Sequence, residues 1–175
     1  MTALRLVGLD PGLQRTGWGV LDADANRLRF VAAGVVATEA AAPLAERLLA
    51  LYRGLRDMLA AHDCAVAAVE ETVVNRNAAS SLKLGHARGV VLLAAAHAGL
   101  PVAEYAAKTV KRAVVGTGAA EKHQVAVMVR RLLPTTGPLT ADAADALAVA
   151  ICHAHHRATA ARLDVTLRLE AAAIR

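Results

Sequence analysis

Three observations predict an α/β domain built on a mixed, five-stranded sheet. Three strand-like runs joined by short turns open the chain. After residue 43, helical repeats alternate with short apolar runs. No internal repeat or low-complexity linker divides the 175 residues, a length that one domain accommodates. The element order reads βββαβαβαα, with helices flanking the sheet.

Residues 3–10 form the first strand, ending at Asp10, where Pro11 and Gly12 break it. Thr16-Gly17-Trp18-Gly19-Val20-Leu21 is the second strand, Asp22 to Asn26 has turn composition, and Arg27 to Thr38 alternates around Leu28 and Phe30 as the third. Pro43 opens a helix through about His62, with apolar residues at Leu44, Leu48, Leu51, Leu55 and Leu59. Ala65 to Val69 is a continuous apolar run, as in a strand covered on both faces. Glu71 to Ala79 is polar and reads as a loop, and a second long helix runs from about Ser80 to Ala98, stopped by Gly99. Pro101 to Tyr105 reads as a short strand, Lys108 to Lys111 as a helical turn and Gly116-Thr117-Gly118 as a mobile loop. Helices from about Ala120 to Leu133 and from about Ala141 to Arg157 complete the core. The domain is thus expected over residues 1–157. The tail, 158–175, mixes an alternating run (Leu163, Val165, Leu167, Leu169) with alanines, a pattern that assigns it no structure.

The hydrophobic fraction of 56% exceeds the usual ~45–50%. Alanine supplies much of that excess, and aromatics are only 2%, so leucine and valine must carry the packing. No run of ~18 apolar residues offers a membrane-spanning helix. A strand-like segment begins almost at once, without a basic-then-apolar leader, so a cytoplasmic protein is expected. Twenty Lys and Arg against 15 Asp and Glu give a net +5, which fits polyanion binding and, equally, simple solubility. Cys64 and Cys152 are too few and too far apart for a metal framework, and buried reduced thiols are expected.

Against this background four acids stand out. Asp142 and Asp145 lie three apart in Ala141-Asp142-Ala143-Ala144-Asp145-Ala146-Leu147-Ala148. On a helix that spacing puts both on one face, Cβ atoms roughly 5–6 Å apart. Burying unpartnered charge is costly, and a hard divalent cation would account for the pair. Asp10 and Glu70 each end a strand-like run. Ligands in α/β sheets sit beyond the carboxyl ends of parallel strands. If strands one and four are adjacent and parallel, and the late helix packs across their ends, the four acids converge. Such a set supports two-metal phosphodiester hydrolysis with Mg²⁺, which binds through few carboxylates plus substrate phosphates. Each acid taken singly has a simpler reading. Asp10 could start a turn, Glu70 beside Glu71 could be a solvated loop acid, and Asp142 could complement a helix N-terminus. Asp145, a turn further on, is harder to explain that way.

Taken together, these pieces resemble the RuvC family of Holliday-junction resolvases. The matching segments are Gly8-Leu9-Asp10-Pro11-Gly12 with Thr16-Gly17-Trp18-Gly19, Val69-Glu70-Glu71, and Asn77 through Gly89. Val114-Val115-Gly116-Thr117-Gly118 with Glu121-Lys122, and Ala141 through Ala148, complete a set running in order from Leu4 to about His155. The resemblance implies a ribonuclease-H-like fold, a homodimer, and Mg²⁺-dependent paired nicking of four-way DNA junctions, with Asp10, Glu70, Asp142 and Asp145 as catalytic acids. It also implies cooperation with a branch-migration complex of the RuvA and RuvB type. Two Mg²⁺ per active site are expected from the acid set, with Mn²⁺ as a substitute. Lys111 and Lys122 match basic positions of the family's DNA-binding surface, with Lys108, Lys83, Arg76 and Arg88 as supports. The helix from Ser80 to Ala98 carries Leu82, Val90, Leu93, Ala94 and Ala98 with Gly85 and Gly89 between; core packing against the sheet explains part of this pattern, and similarity to the family favours a dimer interface there.

One position departs from the pattern. Well-known members carry an aromatic residue three positions after the catalytic glutamate, where it stacks on a base near the crossover; here that position is Val73. Stacking is worth ~1–3 kcal/mol per base, and valine offers a small apolar wedge instead. Val73→Phe is therefore expected to improve junction cleavage or leave it unchanged. Two rival readings remain. Asp10-Pro11-Gly12 with Thr16-Gly17 also resembles the phosphate-loop hairpin of actin-like kinases, which generally need two such domains. A junction-binding module without catalysis would gain nothing from acids facing DNA.

Overall fold

The computed structural model describes residues 3–71 and 77–173, with side chains through residue 164. Its five strands are β1 (Leu4–Asp10), β2 (Arg15–Asp24), β3 (Arg27–Ala37), β4 (Val66–Glu71) and β5 (Val102–Ala106). The helices are α1 (Leu44–His62), α2 (Ala78–His97), α3 (Ala107–Val115), α4 (Lys122–Leu132) and α5 (Ala141–Ala173). The sheet order is β3-β2-β1-β4-β5. β1, β2 and β3 form an antiparallel meander, whereas β4 lies parallel to β1, and β5 parallel to β4. The adjacency that the acids require is therefore present.

Period-two alternation divides the core into two layers. Leu6 of β1 with Val66 and Ala68 of β4 faces α3, α4 and α5, where Val110, Val125, Val129, Leu147 and Ile151 pack. Val7, Leu9, Ala67 and Val69 face the opposite layer, where α1 and α2 supply Leu51, Leu55, Met58, Leu59, Ala87 and Val91. β4 is thus covered on both sides, which is why its sequence is a continuous apolar run. Cys64 and Cys152 are buried free thiols, whose pKa values burial pushes up to about 11 and about 12. No helix among the described residues is long and apolar enough to cross a membrane.

Helix α5 lies directly on the sheet. From Ala143 to Ala154 nearly every side chain is buried, so its alanines serve close approach as well as helix propensity. A Cβ on Gly8 would sit 2.1 Å from the Ala146 carbonyl oxygen, and one on Gly17 2.0 Å from that of Asp142. Any side chain at either position would lift the helix from the strands.

Four elements differ from the sequence expectation. Asp22 to Asn26 is not all turn. β2 continues through Asp24 and only Ala25-Asn26 turn, with Ala25 at φ 49°. Asp22 stays in the strand because Arg5 and Arg29 neutralise it. The helical turn at Lys108–Lys111 is a nine-residue helix, α3, because Val110 and Val114 share its buried face; Gly116, at φ 89°, ends it. α4 starts at Lys122 rather than Ala120, since Glu121 is its N-cap and forms a capping box with Gln124. α5 continues past Arg157 to Ala173.

Candidate active site at the carboxyl ends of β1 and β4

In the parallel pairing of β1 with β4, Leu9 stands opposite Val69. One residue further on, Asp10 and Glu70 stand side by side. Alternation from Leu6 and Ala68 turns both toward α5. On the other flank of β1, Asp10 is the register partner of Gly17, the residue on which the Asp142 backbone rests. The first turn of α5 is thereby held across the strand ends. The β1–β2 connection is pinned as well. The buried Thr16 hydroxyl donates to the Gly12 carbonyl at 2.8 Å and accepts from the Gly12 N–H at 3.2 Å.

A cavity of about 100 Å³ opens here, lined by Asp10, Glu70, Lys111, Lys122 and Asp145 together with Ala107, Val110, Val125 and Ala148. Larger hollows exist, such as one of about 310 Å³ between α1 and α2, but Asp63 is the sole carboxylate lining it. Chemistry, not size, distinguishes the smaller one.

Burial first, then the charges of Glu70 and Asp145, push the Asp10 carboxyl up to about 7. No hydrogen bond from a described side chain is among the influences on it. Burial and Asp145 likewise raise Glu70, against which Lys122 and Lys111 act. Lys122 donates to Asp145 at 3.0 Å, and that bond raises the lysine pKa. Asp142 lies to the side of the cavity, its Oδ2 accepting from Arg15 Nε at 2.6 Å. Two of the four acids are therefore turned onto cations. Among the described residues no three metal-ligating side chains are grouped tightly enough to form an ion site. Asp10, Glu70 and Asp145 line one cavity, and Asp142 stands three residues before Asp145 on α5, outside that lining. Hard carboxylate oxygens, crowded and poorly solvated, are a donor set that fits Mg²⁺.

The predicted basic residues divide. Lys122 and Lys111 line the acidic cavity, and Lys108 is exposed on the same short helix. Lys83 is exposed on α2, whereas Arg88 pairs with Glu104 and ties α2 to β5. Val73 and Arg76 lie outside the described residues. Arg15 was not anticipated from the sequence, although its two-residue offset from Gly17 puts it on the α5 side of β2.

The profile of the family described as crossover junction endodeoxyribonuclease RuvC matches residues 6–153. A protein of that name from Acidiphilium cryptum is 67% identical over 159 residues, covering 91% of this chain and 95% of the relative. Another, from Gluconacetobacter diazotrophicus, is 60% identical over 166 residues, 95% of this chain and 99% of its own. Among solved structures, Thermus thermophilus RuvC in complex with Holliday junction substrate superposes with a TM-score of 0.83 at 35% identity, over 90% of this chain and 96% of that one. The yeast mitochondrial resolvase Ydc2, at 11% identity and a TM-score of 0.60 over 87% of this chain and 79% of its own, shares the fold alone. The sheet order and flanking helices are ribonuclease-H-like, and with the profile spanning most of its length and relatives this similar, the chain belongs to the RuvC family of crossover junction endodeoxyribonucleases.

Proposed function

We propose that this chain is a structure-specific endonuclease that resolves four-way DNA junctions by paired symmetric nicks, in recombination and DNA repair. The observation that carries the reading is the acidic cavity at the ends of β1 and β4. There Asp10, buried beside Glu70 and Asp145, is held up to about 7. A fold gains nothing from crowding ionised carboxylates unless a cation joins them.

Asp10, Glu70, Asp142 and Asp145 would hold Mg²⁺, two ions per site, with Mn²⁺ able to replace it. Bound Mg²⁺ supplies Lewis-acid stabilisation of the phosphoryl oxygens and acidifies the attacking water. Asp10, on a rigid strand end beside Glu70 and near Asp145, would be the central member of that ligand set. Lys122 and Lys111 line the same cavity as the acids and would meet a DNA phosphate there. Once Asp145 turns to its ligand role, Lys122 is free to hold that phosphate and neutralise charge on it. Lys108 extends the basic track along α3.

A homodimer would give two such sites for the two strands of a symmetric junction. α2 supports this: Leu82 and Leu93 are 63% and 58% exposed, and an added Cβ at Gly85 or Gly89 would meet nothing within 4 Å. That face is exposed and made of small and apolar residues around His86. A branch-migration complex of the RuvA and RuvB type would present the junction, and the cytoplasm is where that DNA lies. The experiment is a gel assay of a synthetic four-way junction and a linear duplex, each with and without Mg²⁺. Symmetric nicks in the junction alone, and only with Mg²⁺, are expected. Equal cleavage of both DNAs, or of neither, would remove the reading.

A further inference from the structure

Arg15 belongs neither to the ligand set nor to the basic track on α3, yet its place is fixed just as firmly. Strand alternation sends Arg15, Gly17 and Gly19 to the α5 side of the sheet, and Gly17 is the partner of Asp10. The Arg15 guanidinium reaches Asp142 at 2.6 Å while its side chain stays 47% exposed. Lys122 approaches from α4, near the β4 side of the acids, 3.0 Å from Asp145. The acids are thus bracketed by two cations, one on each flank, each resting on a carboxylate of α5.

That carboxylate has two claimants. When Asp142 turns toward a divalent ion, Arg15 is left unpaired at the rim, and a guanidinium offers the forked donor geometry that suits a phosphate. We propose that Arg15 is a DNA-phosphate-binding residue of the β2 flank, passing from Asp142 to the backbone of the cleaved strand as the ion takes Asp142. The strand is then gripped on both sides of the scissile bond, by Arg15 over β2 and by Lys122 over α4. This inference rests on the junction-nuclease reading and adds to it a contact and an exchange of partners. An ordinary exposed ion pair is the alternative, and such a pair contributes little.

The test compares the full chain with Arg15→Gln and Arg15→Lys, binding a fluorescent four-way junction across a salt series before nicking proceeds. One series contains Ca²⁺ and one contains a chelator. Each lost phosphate contact lowers the slope of log affinity on log salt by about 0.9, so between about 50 and about 200 mM salt the defect shrinks by about three- to fourfold. With Ca²⁺, Arg15→Gln is expected to show that shallower slope, and Arg15→Lys, which keeps the charge, to restore it. With the chelator the slopes of parent and Arg15→Gln should converge. In DNA-free protein, Arg15→Gln should also reach half of its Mg²⁺-induced rise in Tm at a lower Mg²⁺ concentration, since Asp142 has lost its competitor. A merely destabilised fold would lower every Tm without moving that midpoint. A salt slope unchanged by Arg15→Gln in Ca²⁺ overturns the assignment. If instead the parent binds the junction but never nicks it, the proposed activity fails while the Arg15 slope still stands on its own.

Discussion

Asp10 and Asp22 are acids of one sheet with opposite electrostatic fates. Asp22 is buried at the far end of β2 and accepts from Arg5 and Arg29. The Arg5 hydrogen bond, foremost, holds it below the usual carboxylate range. Asp10 is pushed up to about 7 by burial first and then by its like-charged neighbours Glu70 and Asp145. Linkage gives the two opposite signs. Asp22 contributes stability above its ordinary value near 3.8, lost as pH falls through its lowered one. The fold holds Asp10 protonated more readily than the unfolded chain does, so stability declines as pH rises from about 3.8 to about 7. In metal-free protein Asp10→Asn should therefore raise Tm at pH 8, a gain that closes as the pH approaches 4. Asp22→Asn should lower Tm at pH 7, with the deficit closing in acid. Thermal melts in chelator across that range check both. On junction DNA, Asp10→Asn should abolish nicking while binding persists or tightens.

At the scale of elements, the contact between α5 and the β1–β2 pair governs the site. Gly17→Ala forces a methyl group against the Asp142 carbonyl, an obstacle of backbone that cannot rotate away. Overpacking of this kind costs on the order of 3 kcal/mol. Here it also displaces both helical acids, so nuclease activity should fall further than stability, as urea melts and nicking rates would show. Much of this arrangement was legible in the chain. The apolar run of β4 announced a strand covered on both faces, and the i, i+3 acids announced one face of a late helix. Partnerships between distant residues were not legible. Asp22 looked like a turn residue because Arg5 lies 17 positions away, and α3 looked like a single turn because Val114 is inward only once α5 is beside it. The role of Arg15 is hidden for the same reason: only the contact of Gly17 with α5 shows which way β2 faces.

Among the described residues, a lysine-flanked acidic cavity lies at the strand ends, and α2 carries an exposed stripe that includes Leu82 and Leu93. If that stripe joins two copies, Leu82→Glu and Leu93→Glu together should convert a dimer into a monomer in light scattering. Melting of the dilute monomer would change little, since both side chains are exposed in the single chain, whereas the concentration dependence of Tm that association gives the parent would disappear. Loss of paired nicking, with single nicks retained, would accompany it. The deeper claim concerns the cavity itself, that acids from two strand ends and α5 gather on divalent metal. Crystals soaked in Mn²⁺ and measured for anomalous scattering address it most directly. The account predicts a peak between the Asp10 and Glu70 carboxylates, with an α5 acid turned toward it, and no peak in Asp10→Asn. A soaked crystal with Asp10 and Glu70 free of metal, or with the ion bound elsewhere, would contradict it.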